Sequence, residues 1–312
     1  MPVNQVRHFL PVYEHGHSRQ ICLTEFSPPK AQETILCLPG LLETSSAWSE
    51  FVQFFARQHR VYVIDYAGRA LSEYLPDALD YKMSSCLADI CSAISFIIGC
   101  NQSAAKNSGL ADPGSQETCL HIVGNSMGGL LAVTLAAEEP PFITSVVLND
   151  IGALVPWSGL VSIMGAVYGA GIKATDSSIP YSIASVARDL HVDPRLLRAV
   201  MRPSYADLDL RQGLLGMSYE KYFLKTKSPM LLVHSADSYM VTPQVLESTR
   251  NKKTIQTFSA DGNEHPVVYT DTVNKTIESF ISQGNRSDYN QPDSSENDLT
   301  DWFERFKGKK FL

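Results

Sequence analysis

A six-residue string, GNSMGG at residues 124–129, constrains this chain more than any other segment. The apolar run at 118–123 is typical of a buried parallel strand, and the small and apolar residues at 130–137 are typical of a helix. A strand that reverses into a helix through G-x-S-x-G forms a sharp turn, the nucleophile elbow. The glycines of this motif lack the side chains that would collide in so tight a turn. We therefore predict that Ser126 is a nucleophile held at the tip of the turn.

A serine hydroxyl is a weak nucleophile unless a base and an anion site surround it, and His265 is the candidate base. It follows an apolar strand, lies in a Gly-x-x-His turn and comes late in the chain, well after Ser126. The other histidines lie in patterns typical of surfaces, strands or the segment after residue 152. A neutral imidazole takes the serine proton during attack and returns it to the leaving group.

Two aspartates are candidates for the acid that orients His265. Asp237 lies in the loop after the strand that ends at His234, and Asp150 lies at the end of the strand that follows the elbow. Either carboxylate would hold the imidazole in the required tautomer and stabilise the imidazolium. The residues alone leave both candidates open.

The oxyanion hole is predicted from two backbone N–H groups. One belongs to the residue after the nucleophile, Met127, and the other to the loop after an early strand, at Leu41. Because the donors are backbone groups, the side chains at these positions do not decide whether the hole forms.

Strand-like and helix-like segments alternate along the chain, which predicts an α/β fold with a mostly parallel central sheet flanked by helices. The expected strands are 34–38, 60–65, 118–123, 143–148, 228–234 and 253–258, and the main expected helices are 47–57, 81–98 and 267–281. Residues 101–116 are typical of an inserted surface loop. The alternation stops after residue 152, where several short helices are expected. We therefore predict a core at 1–152 and 225–283, a helical cap at 153–224 and a polar tail at 284–312, peripheral or partly disordered.

Five ordered blocks carry a resemblance to a known family: LPGLL at 38–42, DYAGRALS at 65–72, GNSMGG at 124–129, VLNDIG at 147–152 and GNEHP at 262–266. The chain resembles the α/β-hydrolase superfamily, and within it the bacterial capped hydrolases of the esterase and lactonase type. That resemblance implies a serine nucleophile, then an acid, then a histidine in chain order. Family members often have His-Gly where this chain has Pro39-Gly40, and more often carry the acid one or two residues beyond Asp237. Some members take it from the strand that here ends at Asp150.

The resemblance implies a serine hydrolase that cleaves a small or medium carboxylic ester or lactone through an acyl-enzyme on Ser126. Dehalogenases and epoxide hydrolases of this superfamily use a carboxylate nucleophile, which the elbow lacks. The alternatives are a C–C bond hydrolase or lyase on the same scaffold, because a fold does not determine a reaction, and a non-catalytic ligand-binding homologue.

Composition excludes several other classes of protein. The net charge of −7 argues against a nucleic-acid surface. Six cysteines show no metal-ligand spacing, and no phosphate-binding or dinucleotide motif is present, so we expect no metal and no cofactor. The first residues lack the layout of a signal peptide, and no transmembrane segment is expected. The sequence therefore predicts a soluble cytoplasmic enzyme with a small-molecule substrate.

Overall fold

An eight-stranded sheet forms the centre of the computed structural model, which describes residues 3–14, 16–28, 31, 33–77, 80–107, 119–156, 159, 161–162, 183–196, 218–250, 254–284 and 302. The strands are β1 (Asn4–Glu14), β2 (His17–Ser27), β3 (Thr34–Leu38), β4 (Arg60–Asp65), β5 (Leu120–Asn125), β6 (Ile143–Asn149), β7 (Met230–Ser235) and β8 (Ile255–Ala260). Their spatial order is β1-β2-β4-β3-β5-β6-β7-β8. Strands β3 to β8 run parallel, and β1 and β2 pair antiparallel at one edge. The predicted fold class is confirmed.

Helices cover both faces of this sheet. They are α1 (Ser49–Phe55), α2 (Met83–Asn107), α3 (Met127–Ala136), α4 (Ile183–Asp189), α5 (Glu220–Lys225), α6 (Pro243–Arg250) and α7 (Asp271–Gly284), with a 3₁₀ turn at Ser45–Trp48. Successive strand residues point to opposite faces. In β3, Leu36 and Leu38 join the apolar core under α2 and α3, whereas Ile35 and Cys37 join the core under α1 and α7. Every residue of β3 is therefore buried.

Helix α2 is the one helix in the described ranges that is long and apolar enough, by length and composition, to cross a membrane, over Met83–Asn101. In this structure it packs on β1 and α3. The rings of His8 and Phe96 lie 4.6 Å apart, and the Arg19 guanidinium donates to the Asp89 carboxylate at 2.8 Å. Ile90, Ile94 and Ile97 of α2 are buried in the core that this helix shares with the sheet.

Two parts of the core differ from the sequence expectations. The patterns identified no strand before Thr34, yet β1 and β2, of 11 residues each, form a hairpin whose turn contains Gly16, with a φ of +81°. In the second part, the segment expected to be a loop at 101–116 is helical as far as Asn107. At the start of this extension, Arg60 of β4 donates to the Asn101 side chain at 3.0 Å and ties the helix to the sheet. Residues 108–118 lie outside the described residues.

Much of the predicted cap lies outside the described residues, and its boundaries stay a prediction. Within 153–224 the structure describes residues 153–156, 159, 161–162, 183–196 and 218–224, which include α4, most of α5 and the segment 190–196. That segment contacts the core through a hydrogen bond from the Ala70 N–H to the His191 carbonyl, at 2.7 Å. Beyond residue 284 the structure describes only Trp302, whose indole N–H donates to the Glu138 carbonyl at 3.2 Å. The proposed character of the tail also stays a prediction.

Candidate active site

The turn between β5 and α3 holds Ser126 in a left-handed backbone conformation, with φ 47° and ψ −115°. Such a conformation is strained for a residue with a side chain and persists only where its surroundings impose it. A Cβ atom added at Gly124 would collide with the backbone of Gly128 and Gly129, and one added at Gly128 would collide with the Leu38 carbonyl. The two motif glycines therefore allow the close backbone approach on which this elbow depends.

A chain of two hydrogen bonds links Ser126, His265 and Asp150. The Ser126 Oγ lies 2.9 Å from His265 Nε2, and His265 Nδ1 lies 2.8 Å from Asp150 Oδ2. An ionised carboxylate only accepts hydrogen bonds, so Nδ1 carries the proton and Nε2 is free to accept the serine hydroxyl. The Asp150 side chain has no solvent exposure, and that of His265 is 7% exposed. This arrangement suits proton removal from Ser126.

Of the two aspartate candidates, the structure places Asp150 against His265 and leaves Asp237 outside the site. Asp150 directly follows β6 and has a φ of 55°, and its backbone N–H donates to the Val233 carbonyl at 2.7 Å. The backbone N–H of Ser235 donates to Asp150 Oδ1 at 3.2 Å. By contrast, Asp237 is exposed, and its backbone N–H donates to the Gly262 carbonyl at 3.1 Å. The turn after β7 thus directs residue 237 towards solvent, and Asp150 is the one of the two candidates that contacts His265.

The loop that carries His265 is held by groups that the sequence patterns did not single out. The Asn149 side chain exchanges two hydrogen bonds of 2.9 Å with the backbone of Val267. The Ser235 hydroxyl donates to the Glu264 carbonyl at 2.6 Å. Asn149 directly precedes Asp150, so one end of β6 holds both the acid and the histidine loop. The amide side chain that directly precedes Asp150 at the end of β6 was the available sequence signal.

The two predicted oxyanion donors lie on neighbouring segments. Met127 is the first residue of α3, and an N–H at that position has no acceptor inside its helix. The backbone of residues 38 and 39 lies against Gly128, so the loop that continues to Leu41 begins beside the first turn of α3. The positive end of the helix dipole also favours negative charge there. The site therefore combines a nucleophile, a base and a place for an anion.

Two charged side chains near this loop were missed by sequence reasoning. Glu43 accepts hydrogen bonds from the Gly40 N–H and the Asn125 side chain, and Arg69 donates to the Leu41 carbonyl. Burial raises the pKa of Glu43, an effect that the hydrogen bonds from Gly40 and Asn125 oppose. Sequence reasoning assigned Glu43 no role, and Arg69 appeared only inside the DYAGRALS block.

No cluster of three or more histidine, cysteine, aspartate or glutamate side chains in the described part of the chain is arranged to hold a metal ion. The arrangement of Ser126, His265 and Asp150 can activate a hydroxyl for attack on an electrophilic carbon.

Comparisons with known proteins agree with the observed fold. The sequence model of the Alpha/beta hydrolase family matches residues 35–271, more than half of the chain. N-formylmaleamate deformylase from Pseudomonas putida is 24% identical over 256 residues, which cover 76% of this chain and 83% of the deformylase. A solved alpha/beta hydrolase from Novosphingobium aromaticivorans superposes with a TM-score of 0.65 at 17% identity, covering 90% of this chain and 98% of that one. The structure of E-2-(acetamidomethylene)succinate hydrolase has a TM-score of 0.58 at 17% identity, covering 91% and 100%. At such identities the solved structures show the fold.

Proposed function

This chain belongs to the alpha/beta hydrolase family, and we propose that it is a serine hydrolase that cleaves a small or medium carboxylic ester or lactone. The observation that carries the proposal is the hydrogen-bonded chain from Ser126 through His265 to the buried carboxylate of Asp150. The fold of this family serves many chemistries, so the proposed reaction is argued from the residues of the site.

The reaction proceeds by acyl transfer. His265 Nε2 takes the proton from Ser126 Oγ as this oxygen attacks the carbonyl carbon of the substrate. The resulting oxyanion accepts hydrogen bonds from the N–H groups of Leu41 and Met127. The imidazolium, stabilised by Asp150, then protonates the leaving alcohol, and an acyl-enzyme remains on Ser126. A water molecule activated by the same imidazole hydrolyses this acyl-enzyme, which releases the acid and restores the serine.

A second candidate is hydrolysis of an amide, and the names of two relatives favour it. One relative is a deformylase of an N-formyl compound, and a structural neighbour is a hydrolase of an acetamido compound. Both names describe an acyl group on nitrogen. The same triad cleaves such a bond if His265 protonates the leaving nitrogen, since attack by Ser126 is common to both reactions.

The test compares p-nitrophenyl esters of several acyl chain lengths with matched N-formyl and N-acetyl anilides. We expect ester turnover, and we expect Ser126→Ala to lower kcat by a factor of about 10⁴ or more. Intact mass measured after a fluorophosphonate probe reports whether Ser126 is nucleophilic. Labelling of Ser126 with turnover of the anilides alone would favour the amide candidate. A chain that is neither labelled nor active would be a ligand-binding homologue.

A further inference from the structure

The Leu41 N–H lies on the middle one of three consecutive peptide groups, which join residues 39–40, 40–41 and 41–42. Its direction therefore depends on what holds each of these groups. Loops deviate from their preferred geometry more readily than helices do, and a displacement of about 1 Å in a reacting group can cost about 100-fold in rate. In this protein each of the three peptide groups forms a hydrogen bond with either Glu43 or Arg69.

Glu43 holds the first and second of these peptides. Its Oε2 accepts the Gly40 N–H at 2.7 Å, and its own backbone N–H donates to the Gly40 carbonyl at 3.4 Å. In a trans peptide the carbonyl and the following N–H point in opposite directions. Because the Gly40 carbonyl faces the Glu43 backbone, the Leu41 N–H of the same peptide faces the other way. In the described part of the chain, no protein acceptor takes that N–H.

Arg69 holds the third peptide. Its Nε and Nη2 donate to the Leu41 carbonyl at 3.1 and 2.7 Å, and its Nη1 donates to the Ala67 carbonyl at 3.1 Å. The residue is only 2% exposed, and within the described ranges no carboxylate lies at salt-bridge distance from it. Burying a charge without a counter-ion is costly unless hydrogen bonds satisfy it. Three of the five guanidinium N–H groups thus donate to backbone carbonyls, two of them to that of Leu41.

Asn125 connects this loop to the elbow. Its Nδ2 donates to the same Glu43 oxygen at 3.1 Å, and its Oδ1 accepts the Tyr269 hydroxyl at 2.5 Å. Asn125 directly precedes Ser126 and is two residues before Met127. One carboxylate therefore ties the segment that carries one oxyanion donor to the segment that carries the other.

We propose that Glu43 and Arg69 are positioning residues that hold the Leu41 N–H ready for the oxyanion of the transition state. This inference rests on the proposed function, because it assigns the two residues a part in the same acyl transfer. Losing one oxyanion donor typically costs about 100- to 1,000-fold in kcat. A donor that is displaced rather than removed should cost less, and we expect about 10- to 100-fold.

The test uses Glu43→Leu and Arg69→Met, which remove the hydrogen bonds, beside Glu43→Gln, whose amide oxygen can still accept from Gly40 and Asn125. Matched controls are Arg19→Met and Glu25→Leu, which remove a buried arginine and a partly buried glutamate away from the site. Each variant is titrated with a fluorophosphonate so that kcat refers to intact sites. Affinity for a trifluoromethyl ketone, which forms an oxyanion on the serine, is measured in parallel.

We expect Glu43→Leu and Arg69→Met to lower kcat about 10- to 100-fold with KM changed by less than about threefold, and to weaken ketone binding by a similar factor. Glu43→Gln should retain kcat within about threefold, and both controls should retain kcat per titrated site. If Arg69→Met fails to fold, Arg69→Lys replaces it in the test. This variant keeps the charge but loses the paired donors, and it should show the same fall in kcat with little change in KM.

If the wild-type protein turns over the ester while Glu43→Leu and Arg69→Met keep its kcat and its ketone affinity, the inference is overturned and the proposed function stands. A rise in KM alone also overturns it, because it would indicate substrate contact in place of positioning. A wild-type protein that neither turns over a substrate nor binds the ketone contradicts the proposed function and the inference together.

Discussion

At the scale of single residues, the partner of His265 Nδ1 determines which proton state the triad can use. Asp150 accepts that N–H at 2.8 Å from a fully buried position, and its second oxygen is held by the Ser235 N–H. An asparagine in its place keeps the shape but can present an N–H to the imidazole, which favours the wrong tautomer. We expect Asp150→Asn to lower kcat by about 10⁴-fold with little loss of folding, measured by ester hydrolysis and by thermal unfolding.

The matched control for this substitution is Asp237→Asn. Because Asp237 is exposed and its backbone makes the contact with Gly262, we expect kcat to stay within about twofold of the parent. A large loss in Asp237→Asn together with a small loss in Asp150→Asn would show that the acid is supplied from the loop after β7.

At the scale of elements, the junction of β5 and α3 depends on how closely α3 approaches the end of β3. A Cβ atom at Gly128 would collide with backbone atoms of Leu38 and Pro39, which cannot rotate away as a side chain can. We expect Gly128→Ala to lower the free energy of unfolding by about 1–3 kcal/mol, in the range of overpacked sites, and to lower kcat as well. Urea unfolding and ester kinetics measure the two effects.

Gly99 in α2 provides the control for that experiment. A Cβ atom there meets nothing within 4 Å, and alanine is the better helix former by about 1 kcal/mol. Gly99→Ala should therefore raise the free energy of unfolding slightly and leave kcat unchanged. Equal stability losses at the two glycines would contradict the importance of the approach between α3 and β3.

At the scale of the whole molecule, a buried histidine lies at the amino ends of the parallel strands, opposite the triad. His59 precedes β4 and is 2% exposed. Its Nε2 lies 3.7 Å from Glu278 Oε1, beyond hydrogen-bond distance, and its Nδ1 has no hydrogen-bond partner among the described residues. Burial lowers the pKa of His59 below its ordinary value of 6.5, although Glu278 and Glu33 oppose this shift and His121 adds to it. The folded protein therefore binds a proton at His59 less readily than the unfolded chain does.

A lowered histidine pKa contributes stability that is present above pH 6.5 and is lost as the pH falls through the folded-state pKa. Asp89 acts in the opposite sense, because burial raises its pKa to about 6 and that contribution is lost as the pH rises through this value. The comparison of His59→Gln with the parent isolates the histidine. In urea unfolding between pH 8 and pH 5, we expect the variant to lose less stability than the parent. Parallel curves would contradict this assignment.

Local sequence alone determined the elbow, because a strand, the G-x-S-x-G turn and a helix lie within about 20 consecutive residues and each has a strong local signal. It also determined the parallel sheet, since fully buried strands read as apolar runs. The hairpin of β1 and β2 was not predicted, because an edge pair with one solvated face alternates weakly between polar and apolar residues.

Only the tertiary structure decided which aspartate faces His265. Asp150 and Asp237 both follow parallel strands at the same edge of the sheet, so their sequence patterns are alike. The difference between them is the direction of one turn after β7. In the same way, Glu43 and Arg69 meet the two sides of Leu41 from segments that are 26 residues apart. Contacts of this kind depend on how strands and loops are brought together in space, a relation that local patterns of residues do not contain.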